Sequence, residues 1–225
     1  MIAMAVLGRR QFAAGLALLA PSLALAQTPG TGGGPVPWRK IPSLTVVWLA
    51  DDQRVRVVRD AVAYWNGLFG EIGTPFRLGP VSYAGGMIPA DQLSAISNQF
   101  LSSGVRPELP ANVEQTAGDI VVALSDGDFV SFGMRWPPRQ KALVAIKSNT
   151  RYPLGLGNVE RNVVAHELGH AIGLGHNSDP AMLMCGRPAP CRPDVFASGT
   201  ERFFPLMDGE KAALRALYPP GWPGR

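Results

Sequence analysis

Residues 166–176 read H-E-L-G-H-A-I-G-L-G-H and contain all three histidines of the chain. His166 and His170 are four apart, so on a helix both imidazoles leave the same face and can bind one ion, with Glu167 beside them. Gly173 and Gly175 are poor helix residues, and glycine tolerates positive φ, so the chain can turn and return His176 as a third ligand. Three neutral nitrogens around Zn²⁺ leave a fourth position for water, the arrangement of an open, catalytic site rather than a closed structural one. H-E-x-x-H alone turns up by chance. Here it extends to the glycine and the third histidine and follows V-V-A, with Asn158 placed to cap the helix and Glu160 in its first turn, where the macrodipole favours negative charge.

The elements that must position this helix show in the hydrophobic pattern. Leu44–Leu49 is apolar and β-branched and predicts a buried strand, and Val55, Val58, Val62, Trp65 and Phe69 step by three and four along a helix that should cover the sheet. Thr74–Leu78, Asp119–Leu124 and Leu143–Lys147 read as three further strands. Ala90–Ser102 has weak helical spacing within a long excursion, Pro80–Gly118, read as passing over the sheet edge. Asp208–Tyr218 predicts a last helix, stopped by Pro219-Pro220.

The pattern H-E-x-x-H-x-x-G-x-x-H resembles the zinc signature of the metzincin metallopeptidases. The run from His176 to Met184 is similar to the matrixin branch, where an Asp lies three residues after the last histidine and a Met eight after, the positions of Asp179 and Met184 here. The resemblance implies an α+β, metzincin-like zincin fold: a twisted mixed β-sheet with a backing helix and an active-site helix, then a small C-terminal subdomain ending in a helix. The division falls at about residue 176, with the lower part at 177–220. It implies one catalytic Zn²⁺ on His166, His170 and His176, and peptide-bond hydrolysis by a zinc-bound water with Glu167 as general base. Met184 takes the place of the Met-turn residue beneath the metal, with Met182 as the alternative and plain core packing as the other reading of either. An extended peptide should pair with an edge strand beside the helix, for which Ala142–Lys147 is the candidate, a merely structural edge being the other reading of that strand.

The chain departs from matrixins in four places. No cysteine-switch propeptide precedes the domain, so latency by a thiolate is not expected. Cys185-Gly186-Arg187-Pro188-Ala189-Pro190-Cys191 stands where matrixins have a Pro-x-Tyr type of segment walling the specificity pocket. No further histidine is present for their second, structural zinc, and the Pro80–Gly118 excursion is longer than their connection. Asp126-Gly127-Asp128 resembles a fragment of a matrixin metal loop but reads as a solvated acidic turn, so calcium is possible but unsupported. Two other functions would use the same residues. One is a secreted zinc-dependent binding module without activity, which the intact Glu167 and ligand set argue against; the other is a metallohydrolase of a non-peptide amide.

Composition bounds the rest. With 225 residues, 46% apolar and 17% charged, the chain suits one globular domain and neither a disordered nor a collagenous class. The net charge is +4, yet no Lys/Arg run reaches three residues, so nucleic acid is set aside as a partner. Arg9 and Arg10 precede an apolar stretch, Phe12–Ala26, that ends in A-L-A, the pattern of a signal peptide over residues 1–26 of either the twin-arginine or the Sec type. Its 15 residues are too few for a membrane anchor, and the protein is expected to be exported, periplasmic or secreted, and monomeric. Residues 27–37 form a Gly/Pro leader, and residues 38–220 the catalytic domain. Cys185 and Cys191, the only cysteines, are expected to pair in an oxidising compartment and so shape the subsite wall. The rival reading is a free Cys185 thiol that reaches the zinc.

Overall fold

Three apolar runs form the centre of a five-stranded sheet. β1 (Leu44–Trp48), β3 (Ile120–Leu124) and β5 (Lys141–Ile146) are buried almost throughout, as parallel strands covered on both faces must be. β2 (Val81–Gly85) forms one edge and β4 (Phe132–Trp136) the other, in the order β2-β1-β3-β5-β4. Every neighbouring pair is parallel except β4, which runs antiparallel to β5. The computed structural model describes residues 35–49 and 51–224, so the signal peptide read at 1–26 and the leader as far as residue 34 lie outside the described residues. No described helix is long and apolar enough to cross a membrane.

Side chains alternate across each strand, so each face acquires its own core. Leu44, Val46, Ile120, Val122, Val144 and Ile146 pack against α1 (Arg54–Glu71) and α4 (Val159–Ile172). Val47, Val121, Ala123, Leu143 and Ala145 face α2 (Ala90–Ser103) and α3 (Ala111–Gln115). The expected helix over residues 55–69 is α1, whose Val58, Val62, Trp65 and Phe69 are buried; each such side chain contributes roughly 1.5–3 kcal/mol on burial. The C-terminal segment, including a 3₁₀ turn at Pro193–Phe196 and α5 (Asp208–Leu217), adds Leu183, Met184, Phe196, Phe204 and Tyr218 to the α1/α4 core. The architecture is the expected α+β one, a mixed sheet with a backing helix, a second sheet-covering helix that carries His166 and His170, and a closing C-terminal helix.

Three expectations are corrected. Thr74–Leu78 is not a strand, because the Asn66 side chain takes both backbone groups of Leu78, accepting its N–H at 2.8 Å and donating to its C=O at 2.9 Å. The second strand comes later, at Val81–Gly85. The Pro80–Gly118 excursion supplies that edge strand and then crosses the sheet, where Leu93, Ile96 and Val113 cover the second face rather than an edge. Finally, Ala142–Lys147 is not an edge: β5 pairs with β3 on one side and β4 on the other, and the edge beside α4 is β4.

The starts of β1 and β3 are tied by Asp119, whose carboxylate accepts the Ser43 N–H and Oγ–H at 2.9 and 3.0 Å and pairs with Lys40 at 2.9 Å. Burial opposes the charge, but the Lys40 and Ser43 interactions outweigh it and leave the carboxyl below its ordinary pKa. A depressed folded-state pKa stabilises the fold above the unfolded value of about 3.9 and loses that contribution as pH falls through the folded value. Asp119→Asn should therefore cost about 1 kcal/mol at pH 7, after allowance for solvent screening, and the gap from the parent should close toward pH 3. Urea unfolding of both proteins at the two pH values checks this.

Candidate metal centre

α4 carries two of the three histidines and is buried on nearly every side, with Val163, Val164, Leu168 and Ile172 in the α1-side core. Trp65 of α1 donates its indole N–H to the Ala165 carbonyl at 3.0 Å. Gly169 makes this approach possible, since a Cβ there would lie 3.2 Å from Trp65 and 2.5 Å from Met184 Sδ. Met184 is fully buried under this turn, whereas Met182 is half-buried, so Met184 is the methionine packed beneath the ligand-bearing helix. From the sheet side, Gly133 of β4 comes equally close: a Cβ there would overlap the Glu167 carbonyl and sit 3.0 Å from His170 Cβ.

The helix ends as the glycine suggested. Gly173 takes φ 114°, with Leu174 N–H on Gly169 O at 3.0 Å and Gly173 N–H on His170 O at 3.1 Å, which is a Schellman motif. The turn also presents the Leu174 carbonyl to His170 Nδ1–H at 2.9 Å. His166 Nδ1–H donates to Leu183 O at 2.7 Å, and His176 Nδ1–H to Arg187 O at 2.8 Å. With each Nδ1 proton on a backbone carbonyl, each Nε2 keeps a free lone pair for a metal.

The three Nε2 atoms stand 3.1, 3.0 and 3.2 Å from one another. Two nitrogens bound to one tetrahedral ion at about 2.0 Å are about 3.3 Å apart, so the triangle fits Zn²⁺ and leaves a fourth position free. The donor set agrees: neutral imidazoles suit zinc, and no described carboxylate or thiolate joins the group. Burial holds His166 down to about 4, and holds His170 and His176 below the usual histidine range. All three are therefore neutral at pH 7 and need lose no proton to bind a cation. Burial pushes the Glu167 carboxyl well above the usual carboxylate range, and the Gly133 amide acts in the opposite direction.

Against this geometry, comparison with known proteins adds a limited likeness. No protein-family model matches the chain, and no curated protein matches it. Among solved structures, the chain is similar to archaemetzincin from Methanopyrus kandleri, with a TM-score of 0.47 and 18% identity over 78% of this chain and 94% of that one. It is also similar to a zinc-dependent peptidase from Methanocorpusculum labreanum (strain Z), with a TM-score of 0.38 and 16% identity over 76% of this chain and 99% of that one.

The remaining sequence candidates fall as follows. Asn158 sits at the start of α4 but does not cap it: it has φ 70°, and its side chain accepts the Arg202 N–H at 2.9 Å and donates to Phe196 O at 3.2 Å. Asp179 accepts the Ala181 N–H at 2.9 Å and shapes the turn that follows His176. Cys185 and Cys191 form a disulfide with Cα atoms 5.9 Å apart, which removes the reading of Cys185 as a free thiol on the metal. Asp126 and Asp128 face Arg54 and Lys147, at 3.4 and 3.0 Å.

Sequence reasoning missed the three carbonyls, which carry no residue-type signal, and two glycines, Gly133 and Gly186. A signal for β4 was present in the alternation of Phe132, Met134 and Trp136, all three buried on the far face. The close approach of Gly133 gives a test. Gly133→Ala should drive β4 off α4, since the obstacle is backbone that cannot rotate away; overpacking of this kind costs about 3 kcal/mol. The expected result is a fall in Tm of roughly 6–12 °C, read by calorimetry.

Proposed function

We propose that the chain is an exported zinc-dependent endopeptidase that cuts extended peptides. The observation that carries the reading is the triangle of Nε2 atoms 3.0–3.2 Å apart, each ring held through Nδ1 by a backbone carbonyl, with Glu167 one residue from His166 on the same helix. A zinc ion bound there supplies a Lewis acid that polarises the scissile carbonyl and acidifies water. Glu167 serves as the proton carrier. Its carboxylate takes a proton from the attacking water and returns it to the leaving nitrogen.

Substrate pairing is assigned to β4. Its Gly133 amide is turned toward Glu167 and hence away from β5. Alternation along an antiparallel strand then directs the Arg135 N–H and C=O to the same outer edge. An extended peptide adding to that edge is held through its backbone, which gives affinity with little demand on sequence. Export is supported by the Arg9-Arg10 pair, the apolar run and the A-L-A end.

The purified protein should hydrolyse casein or a quenched peptide mixture, lose activity to a chelator and regain it with zinc. Glu167→Gln should keep zinc and fold but lower turnover by about 10² to 10⁴, because the amide accepts no proton. Full turnover by this variant with zinc bound would remove Glu167 as the base. Zinc uptake without turnover in the parent would favour the binding-module reading.

A further inference from the structure

The disulfide loop carries the support of the third histidine. Gly186, one residue into the loop, lies so close to the His176 imidazole that a Cβ there would overlap three atoms of the ring. Arg187, the next residue, supplies the carbonyl that accepts His176 Nδ1–H at 2.8 Å. The bond between Cys185 and Cys191 closes the loop around these two residues, and both cysteines are buried. Within it the Ala189 N–H returns to Gly186 O at 3.1 Å, and Arg192 ties the far end to Ala189 O and Cys191 O at 3.1 and 2.7 Å.

The other two ligands are held from elsewhere. His166 leans on Leu183 O and His170 on Leu174 O, both before the loop begins. His176 is also the exposed member of the three, with no helix around it to restrict its ring. Its position rests on a short segment of irregular backbone, and such a segment is defined only as well as its ends are held.

We propose that the Cys185–Cys191 disulfide is a positioning element for the metal site: it braces Gly186 and Arg187 against His176 and thereby sets the affinity of the centre for zinc. The brace is partial, because the Gly186 N–H also reaches Asn177 O at 3.1 Å and would keep one end of the segment in place without the bridge. Loss of a partner that orients a ligand lowers metal affinity about 10- to 100-fold, so the lower end of that range is expected.

The proposal rests on the three histidines being a zinc site, and the test separates the two. Zinc affinity is measured by competition with a chromophoric chelator for the oxidised parent, Cys185→Ser/Cys191→Ser, His176→Ala, and the triple variant. Circular dichroism of the metal-free proteins checks the fold. The expected result is about tenfold weaker binding in the double serine variant, with His176→Ala costing correspondingly less in that background than in the parent. Equal affinity of parent and double variant, or an undiminished effect of His176→Ala, overturns the proposal while leaving the zinc site intact. A parent that takes up no zinc overturns both. Should the serine variant not fold, Cys185→Ala/Cys191→Ala removes the bridge without burying two hydroxyls; about tenfold weaker zinc binding is again expected, and parent-like affinity overturns the proposal.

Discussion

An imidazole bound to a metal through Nε2 must place its Nδ1 proton somewhere, and inside a protein that somewhere has to be an acceptor held in advance. Here the three acceptors are carbonyls of Leu174, Leu183 and Arg187, drawn from three separate stretches of chain. Much of the C-terminal segment follows from keeping them in place. The Schellman turn sets Leu174, and the Leu183 N–H is bonded to Pro205 O at 2.8 Å. Asn177 lies between the ligand and the loop: its N–H meets Met184 O at 2.8 Å, its carbonyl takes the Gly186 N–H, and its side chain donates to Glu210 of α5 at 2.7 Å. Asn177 thus ties the last helix to the turn that carries His176.

The same burial that orders these groups makes them poor hosts for charge. His166 and His170 resist protonation, and Glu167 resists ionisation, all because water is excluded around them. Such a pocket is unfavourable as a cluster of separate charges and favourable for a dication, which three lone pairs can coordinate and which draws a nearby carboxyl toward its ionised form. The glycines belong to this balance. At 133 and 169 the absence of a side chain lets β4, Trp65 and Met184 close on α4, so that little room remains for water along the ligand-bearing turns.

How much of this was legible depends on whether a feature resides in side-chain types. The ligand set was legible because imidazoles at i and i+4, a glycine and a third imidazole form a chemical pattern along the linear chain itself. The helix α1 and the central strands were legible from periodicity and from continuous apolar runs. The strand at Thr74–Leu78 failed because Asn66 imitates a neighbouring strand, a long-range side-chain bond that propensity cannot register. Asn158 failed as a cap for a related reason, since its amide is engaged by Phe196 and Arg202. Edge and centre were exchanged at β5 because order across a sheet is a property of topology, and the short β4 return through Pro137–Gln140 was the missing piece.

The C-terminal end of α4 shows why residues at both ends of the described chain belong to the site. A helix leaves its last carbonyls unpaired, and here they are buried, where each needs a donor. Leu174 and Gly173 N–H groups serve Gly169 and His170; the next two carbonyls, Ala171 and Ile172, turn to side chains far away in sequence. The Trp38 indole N–H donates to Ala171 O at 2.9 Å and the Tyr218 hydroxyl to Ile172 O at 2.8 Å, and Trp222 in turn donates to Trp38 O at 2.8 Å. Arg135 completes the arrangement. Its guanidinium lies 4.8 Å from the Trp38 ring centroid and beside Gly173, a cation held over an aromatic face at the negative end of the helix. Because His170 lies in the last turn of that helix, any slack in these donors would reach the second ligand directly. The aromatic residues near the two ends of the described chain therefore act as caps on the histidine-bearing helix as well as core.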